Sequence, residues 1–189
     1  QEALECAAIK SISGGEFVAQ DWCRRPFRTP HHTASAVALV GGGRSPRPGE
    51  ITLAHNGVLF LDELPEYQRK ALDSLREPLE AGQISISRAN QQVDFPAKFQ
   101  LIGALNPSPS GYYDNNKFAG NNSQVAKYLS KLSGPFLDRF DLTIEVPALP
   151  KGSLTEQGQR GENSEQIKQR VSAAQAVQRQ RGDKLNDAL

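Results

Sequence analysis

The 189-residue sequence contains no methionine, one tryptophan and only two cysteines, Cys6 and Cys23. Two thiols without neighbouring Cys or His partners are too few for a disulfide framework and do not have zinc-site spacing, so a reducing, cytoplasmic setting fits. Long apolar runs are also missing. A stretch such as Gly57-Val-Leu-Phe-Leu61 falls far short of the roughly 20 residues that cross a bilayer, so no membrane partner is expected. Neither sign of charge dominates, with 22 Lys and Arg against 21 Asp and Glu, so any nucleic-acid contact must come from a local patch. No Gly-Lys dipeptide occurs, which excludes a phosphate-cradling Gly-x4-Gly-Lys-Ser/Thr loop within these residues. The start, Gln1-Glu-Ala-Leu, has neither an initiator methionine nor a basic-then-apolar leader, and reads as an internal piece of a longer protein.

What is present suggests one α/β domain with a tail, divided as residues 1–150 and 151–189. Leu4, Ala7, Ala8 and Ile9 have helical spacing that ends at Ser13-Gly-Gly15. Thr33 or Ser35 caps a second helix through Ala36-Val-Ala-Leu-Val40, stopped by Gly41-Gly-Gly43. Glu50-Ile-Thr-Leu53 is expected as a short strand. The continuous run Val58-Leu-Phe-Leu61 marks a strand buried on both faces of a parallel sheet. From Pro65, the residues Tyr67, Ala71, Leu72, Leu75 and Leu79 line one face of a helix closing near Gly82. Alternation over residues 84–88 and 93–95 predicts a β-hairpin around Ala89. A second buried-type run over residues 99–105 ends at Asn106. Residues 142–146 read as a third strand, and residues 164–181 as a helix with a thin stripe of Ile167, Val171, Ala174 and Val177.

The chemistry centres on Asp62 and Glu63. In open α/β sheets ligands lie at the carboxyl ends of the strands, where this pair projects. In nucleotide hydrolysis an aspartate there holds Mg²⁺ through water and a glutamate polarises the attacking water. An acidic pair after an apolar run also serves simply to cap a strand and open a helix. Asn106 ends the next apolar strand, where its amide suits orientation of the lytic water, although Asn-Pro is common turn chemistry. The rigid fork of Arg139 suits a phosphate on a neighbouring subunit, or else a salt bridge to Asp138 or Asp141.

The ordered series of acidic strand end, helix, hairpin, strand with terminal Asn, and Leu137-Asp-Arg-Phe140 is more specific than any of its parts. Together with Arg25-Pro-Phe-Arg-Thr-Pro-His-His32, the run from Gly49 to Glu66, Leu75-Arg-Glu-Pro-Leu-Glu80, Asn106-Pro-Ser-Pro and Ser133-Gly-Pro-Phe-Leu-Asp-Arg-Phe-Asp141, it resembles the magnesium-chelatase-like AAA+ ATPases of the ComM/YifB type. The resemblance spans residues 3–147. It implies a Walker B pair at Asp62 and Glu63 and a sensor-1 residue at Asn106. It also implies an arginine finger at Arg139, acting in trans within a homo-hexamer that uses ATP and Mg²⁺. It implies that residues 1–150 are the central AAA+ core and 151–189 a linker and the start of the helical lid. Hairpin and helix-2 insertions near Ala89 and Arg44 would face a pore, with Arg44, Arg47, Arg88 and Lys98 as candidate DNA-phosphate contacts. Solvated surface charge is the simpler account of any one of these.

Proteins of this type are associated with DNA branch migration in natural transformation. Many relatives carry cysteines after the sensor-1 asparagine, whereas this chain has Ser108 and Ser110, so no zinc is expected. His31 and His32 read as structural. Two other functions fit the same residues: the motor subunit of a metal chelatase, and a non-catalytic interaction module. Because the phosphate loop is not among these residues, the 189-residue chain by itself is expected not to hydrolyse ATP.

Overall fold

The computed structural model describes residues 1–16, 18–43, 45–88, 91–106, 122–147 and 161–182. These fall into two compact units, Gln1–Thr143 and Ile144–Leu189. In the first, helix α1 (Glu2–Ile12) carries Glu2 and Glu5 in its first turn and Lys10 in its last, the order that complements the helix dipole. Strand β1 (Phe27–Arg28) follows. Helix α2 (Ala36–Val40) is capped by Ser35, whose hydroxyl accepts the Ala38 N–H at 3.2 Å. The helix runs directly into a small antiparallel ribbon of β2 (Gly41–Gly42) and β3 (Arg47–Pro48). Gly41 has φ +100°, and a Cβ there would lie 2.3 Å from the Arg47 carbonyl oxygen, so the ribbon requires glycine.

Residues 50–53 form a helix, α3 (Glu50–Leu53), rather than the expected strand. Ile51 and Ala54 are both fully buried, and their i, i+3 spacing is helical. Gly49 enters in an extended conformation as N-cap. Glu50 accepts two hydrogen bonds from Arg28, Nε at 2.6 Å and Nη2 at 2.7 Å, which join α3 to β1.

Strand β4 (Val58–Leu61) forms, but it is fully buried on one face only: Leu59 and Leu61 are buried completely, whereas Val58 and Phe60 on the other face are half-buried. The single helix expected from Pro65 to near Gly82 divides into a 3₁₀ turn (Leu64–Glu66), α4 (Arg69–Asp73) and α5 (Arg76–Ala81). The spacing nevertheless identified the inward face, since Tyr67, Ala71, Leu72 and Leu75 are buried. The second break has a local cause. Pro78 has no N–H to extend the ladder, and the Ser74 hydroxyl donates to the Ala71 carbonyl at 2.6 Å instead of pointing to solvent. Gly82, at φ +67°, ends α5.

The hairpin is present as β5 (Gln83–Arg88) and β6 (Gln91–Pro96), in register Ile84 with Phe95 and Arg88 with Gln91. Strand β7 (Gln100–Gly103) completes a parallel three-stranded sheet in the order β1-β4-β7, giving the α/β class the sequence implied. Helix α6 (Asn122–Leu129) and the single turn α7 (Gly134–Leu137) follow, with Phe136 fully buried.

The strand expected over residues 142–146 is not formed: the segment lies outside helix and strand, and Leu142, Ile144 and Val146 are 83%, 82% and 86% exposed. An alternating apolar sequence becomes a strand only where a neighbour offers backbone partners, and none of the described strands pairs with it. In the second unit, α8 (Ser164–Gln180) opens with a reciprocal cap between Asn163 and Gln166. Its stripe residues Ile167, Val171 and Val177 are exposed. No described helix is long and apolar enough to cross a membrane.

Candidate functional site

Leu61 of β4 pairs with Gly103 of β7, so Asp62 and Asn106 leave the carboxyl ends of two adjacent parallel strands. Backbone pairing continues past both ends: the Ala104 N–H donates to the Leu61 carbonyl at 2.9 Å, and the Leu64 N–H to the Ala104 carbonyl at 3.0 Å. The acidic turn is thereby fixed against the segment leading to Asn106. Asp62 Oδ1 accepts the Glu63 N–H at 2.9 Å. Glu63 has φ 54° and ψ 46°, a left-handed conformation that costs a non-glycine residue about 1 kcal/mol. Asp62, Glu63 and Asn106 are all exposed.

The structure adds a residue that the sequence reading treated as structural. His32 Nδ1 lies 2.9 Å from Glu63 Oε2. Its ring packs 4.1 Å from that of His31 and edge-on to Tyr67 at 6.5 Å. The Tyr67 hydroxyl donates to the Pro30 carbonyl at 2.5 Å, so the chain leaving β1 is held against the turn that follows β4. Burial pushes the Tyr67 phenol up to about 12, with the negative charge of Asp62 adding to the shift. The available signal was positional: His32 follows β1, which pairs in parallel with β4, so both chains emerge at the same end of the sheet.

Arg139 does not pair with Asp138 or Asp141. Its Nε–H donates to Glu80 Oε1 at 2.8 Å, and Nη2 contacts the same oxygen. Of the four basic candidates, Arg47 lies exposed in β3, Lys98 lies exposed just past β6, and Arg88 is the last residue of β5. Six residues of strand span about 20 Å, so Arg88 and Lys98 sit at opposite ends of the hairpin and are not one patch. Arg44 lies outside the described residues, as do the hairpin turn at Ala89, Ser108 and Ser110, and most of the polar linker before α8.

His55 is structural. It is buried, its Nδ1 accepts the Lys98 N–H at 3.1 Å, and its Nε2 faces Glu5 at 3.2 Å. A cavity of about 460 Å³ beside α1 and α3, reached by both Cys6 and Cys23, contains none of the predicted site residues.

Among the described residues, no group of three or more His, Cys, Asp or Glu side chains is placed to hold a metal by itself. Mg²⁺ keeps several waters and binds through one or two carboxylates plus phosphate oxygens. The exposed Asp62, with Glu63 beside it, suits that role, so the residues present fit the metal side of a nucleotide site.

A family model described as magnesium chelatase, subunit ChlI, matches residues 1–154. The chain belongs to this family. It is similar to competence protein ComM of Haemophilus influenzae, 56% identical over 188 residues that cover 100% of this chain and 37% of that protein. It is also similar to the uncharacterized protein YifB of Escherichia coli K12, 55% identical over 186 residues, 98% of this chain and 37% of that protein. A more distant likeness is to the DNA replication licensing factor Mcm6 of Drosophila melanogaster, 33% identical over 94 residues, 50% of this chain and 10% of that protein. The chain thus spans little more than a third of the length of its ComM and YifB relatives. It is a ComM-like member of the AAA+ class.

Proposed function

We propose that this chain carries the metal-holding and water-activating side of an ATPase site. In the complete protein, a homo-hexameric ring would use ATP hydrolysis to drive DNA branch migration in transformation or recombination. The observation that supports the reading is that Asp62 and Glu63 directly follow β4 and Asn106 comes three residues after β7, at the carboxyl ends of two adjacent parallel strands. The relatives lend the DNA component: one is named for competence and another for DNA replication.

In this reading Mg²⁺ and ATP, when bound, supply the phosphoanhydride and the charge that hydrolysis redistributes. Asp62 would hold the ion, with one of its oxygens accepting the Glu63 N–H. Glu63 takes the proton of the attacking water at its carboxylate, and Asn106 orients that water with its amide. Arg139 presents its guanidinium to the phosphate of the neighbouring subunit. Arg44, Arg47 and Arg88 contribute phosphate contacts on the DNA-facing insertions, and Lys98 contributes one at the base of the hairpin.

Substituting Glu63→Gln in the full-length protein tests this. ATP hydrolysis should fall by about 10²- to 10⁴-fold while ATP binding persists. Unchanged hydrolysis would refute the catalytic assignment and leave an interaction module. The family's description favours a second reading, the motor of a metal chelatase. Stimulation of the full-length ATPase by forked DNA supports the DNA motor; indifference to DNA together with stimulation by a tetrapyrrole-metallating partner supports the chelatase.

A further inference from the structure

The pairing of Arg139 with Glu80 links two parts of the molecule that the proposed function treats separately. The backbone around Arg139 is anchored in the core. Phe136 is fully buried, its ring stands edge-on to Phe140 at 5.3 Å, and the Ser133 hydroxyl just before α7 donates to Asp73 Oδ1 at 2.7 Å. The Arg139 and Phe140 N–H groups continue the turn to the carbonyls of Phe136 and Leu137. From this base the guanidinium uses one edge, Nε and Nη2, on a single oxygen of Glu80. A guanidinium has five N–H donors in a rigid plane, so the Nη1 edge can meet a second anion while the first holds the plane.

Glu80 itself lies in the last turn of α5. Two residues later Gly82 turns the chain, and β5 begins at Gln83. The Gly82 carbonyl accepts the Ala97 N–H at 2.8 Å, closing the hairpin at the same point. The carboxylate that holds Arg139 is therefore built into the root of the β5–β6 hairpin.

We infer that Glu80 is a positioning residue for Arg139: it sets the plane of the guanidinium and ties it to the base of the hairpin. Displacement of the hairpin by DNA then reorients the group offered to the neighbouring subunit's phosphate. This rests on the finger role proposed for Arg139. Both partners are partly exposed, at 34% and 52%, and such pairs contribute little to folding. The value of the contact lies in orientation, and its loss should register in turnover rather than in stability.

The test uses the full-length protein, with ATP turnover measured with and without forked DNA. Arg139→Ala should lower kcat by about 10³-fold or more with ATP binding retained. Glu80→Gln should lower kcat about tenfold, as misplacement of a catalytic group does, leave KM for ATP and the melting temperature unchanged, and bring the DNA stimulation ratio toward one. Glu80→Asp should restore part of the loss. In an Arg139→Ala background, Glu80→Gln should have no further effect. If Arg139→Ala keeps wild-type turnover, the finger role fails and this inference with it. If Arg139→Ala is inactive but Glu80→Gln matches or exceeds the wild type, or lowers turnover equally in both backgrounds, only the role of Glu80 is overturned.

Discussion

Strand β4 and residues 142–146 are both short apolar runs next to an aspartate, Asp62 after one and Asp141 before the other. Their fates differ. β4 lies between β1 and β7 with Leu59 and Leu61 fully buried in the core, whereas Leu142, Ile144 and Val146 are more than four-fifths exposed on backbone with no strand partner among the described residues. The difference shows that apolar patterning supplies a capacity for strand formation, and that neighbouring backbone decides whether it is used. It also bears on function, because the acidic turn of Asp62 and Glu63 follows a strand that has a parallel neighbour on each side.

The largest expected contrast follows directly. Leu61→Ala should destabilise the chain by about 2–5 kcal/mol, the cost of a buried cavity. Val146→Ala should change stability by no more than about 0.5 kcal/mol. Urea midpoints of the two variants measure the difference, and equal losses would show that residues 142–146 are packed after all. A smaller effect tests the β1 side of the same strand. A Cβ on Gly57 would lie 2.0 Å from the Pro26 carbonyl oxygen, which accepts the Val58 N–H at 2.9 Å. Gly57→Ala should cost about 1–3 kcal/mol and speed hydrogen exchange at Val58, because the strands must part to admit the methyl group. Slow exchange at Val58 in that variant would mean that β1 does not depend on this close approach.

What the sequence made legible follows the same division. β4, β7 and the hairpin could be read because their apolar residues answer to partners close in the chain or to a strong continuous run. The pairing of Asp62 and Glu63 with a strand end followed from that run alone. Residues 50–53 were misread because four residues fit either period, and the choice fell to Gly49 and to burial of Ile51 and Ala54. The contacts of His32 with Glu63 and of Arg139 with Glu80 join residues 31 and 59 positions apart, and no local pattern encodes such pairs. The resemblance to known ATPases assigned roles to Glu63 and Arg139 but did not say what holds either one.

The second unit offers a sharper version of the contrast, because α8 has exposed side chains along nearly its whole length. Its order should therefore depend on local terms. Asn163→Ala removes the side-chain acceptor of the Gln166 N–H and breaks the reciprocal cap, at a cost of about 1 kcal/mol to the helix. The expected readout is a loss of helical circular dichroism with the urea transition of residues 1–143 unmoved. A shift in that transition would show that α8 and the first unit unfold together.

The smallest effect concerns the packed unit at low pH. Glu5 accepts hydrogen bonds from Asn56 Nδ2 at 2.9 Å, from His55 and from Gln1, and these hold its carboxyl below the ordinary value of 4.5. A carboxyl whose folded value is depressed adds stability above its unfolded value and loses it as pH falls through the folded one. Between about pH 5 and pH 3 the wild-type urea midpoint should therefore fall more steeply than that of Glu5→Gln, and the two should run parallel near neutrality. Because Asn56 and His55 sit just ahead of β4, a difference in slope would show that α1 is energetically part of the strand's support. Identical slopes would confine that support to β1 and β7.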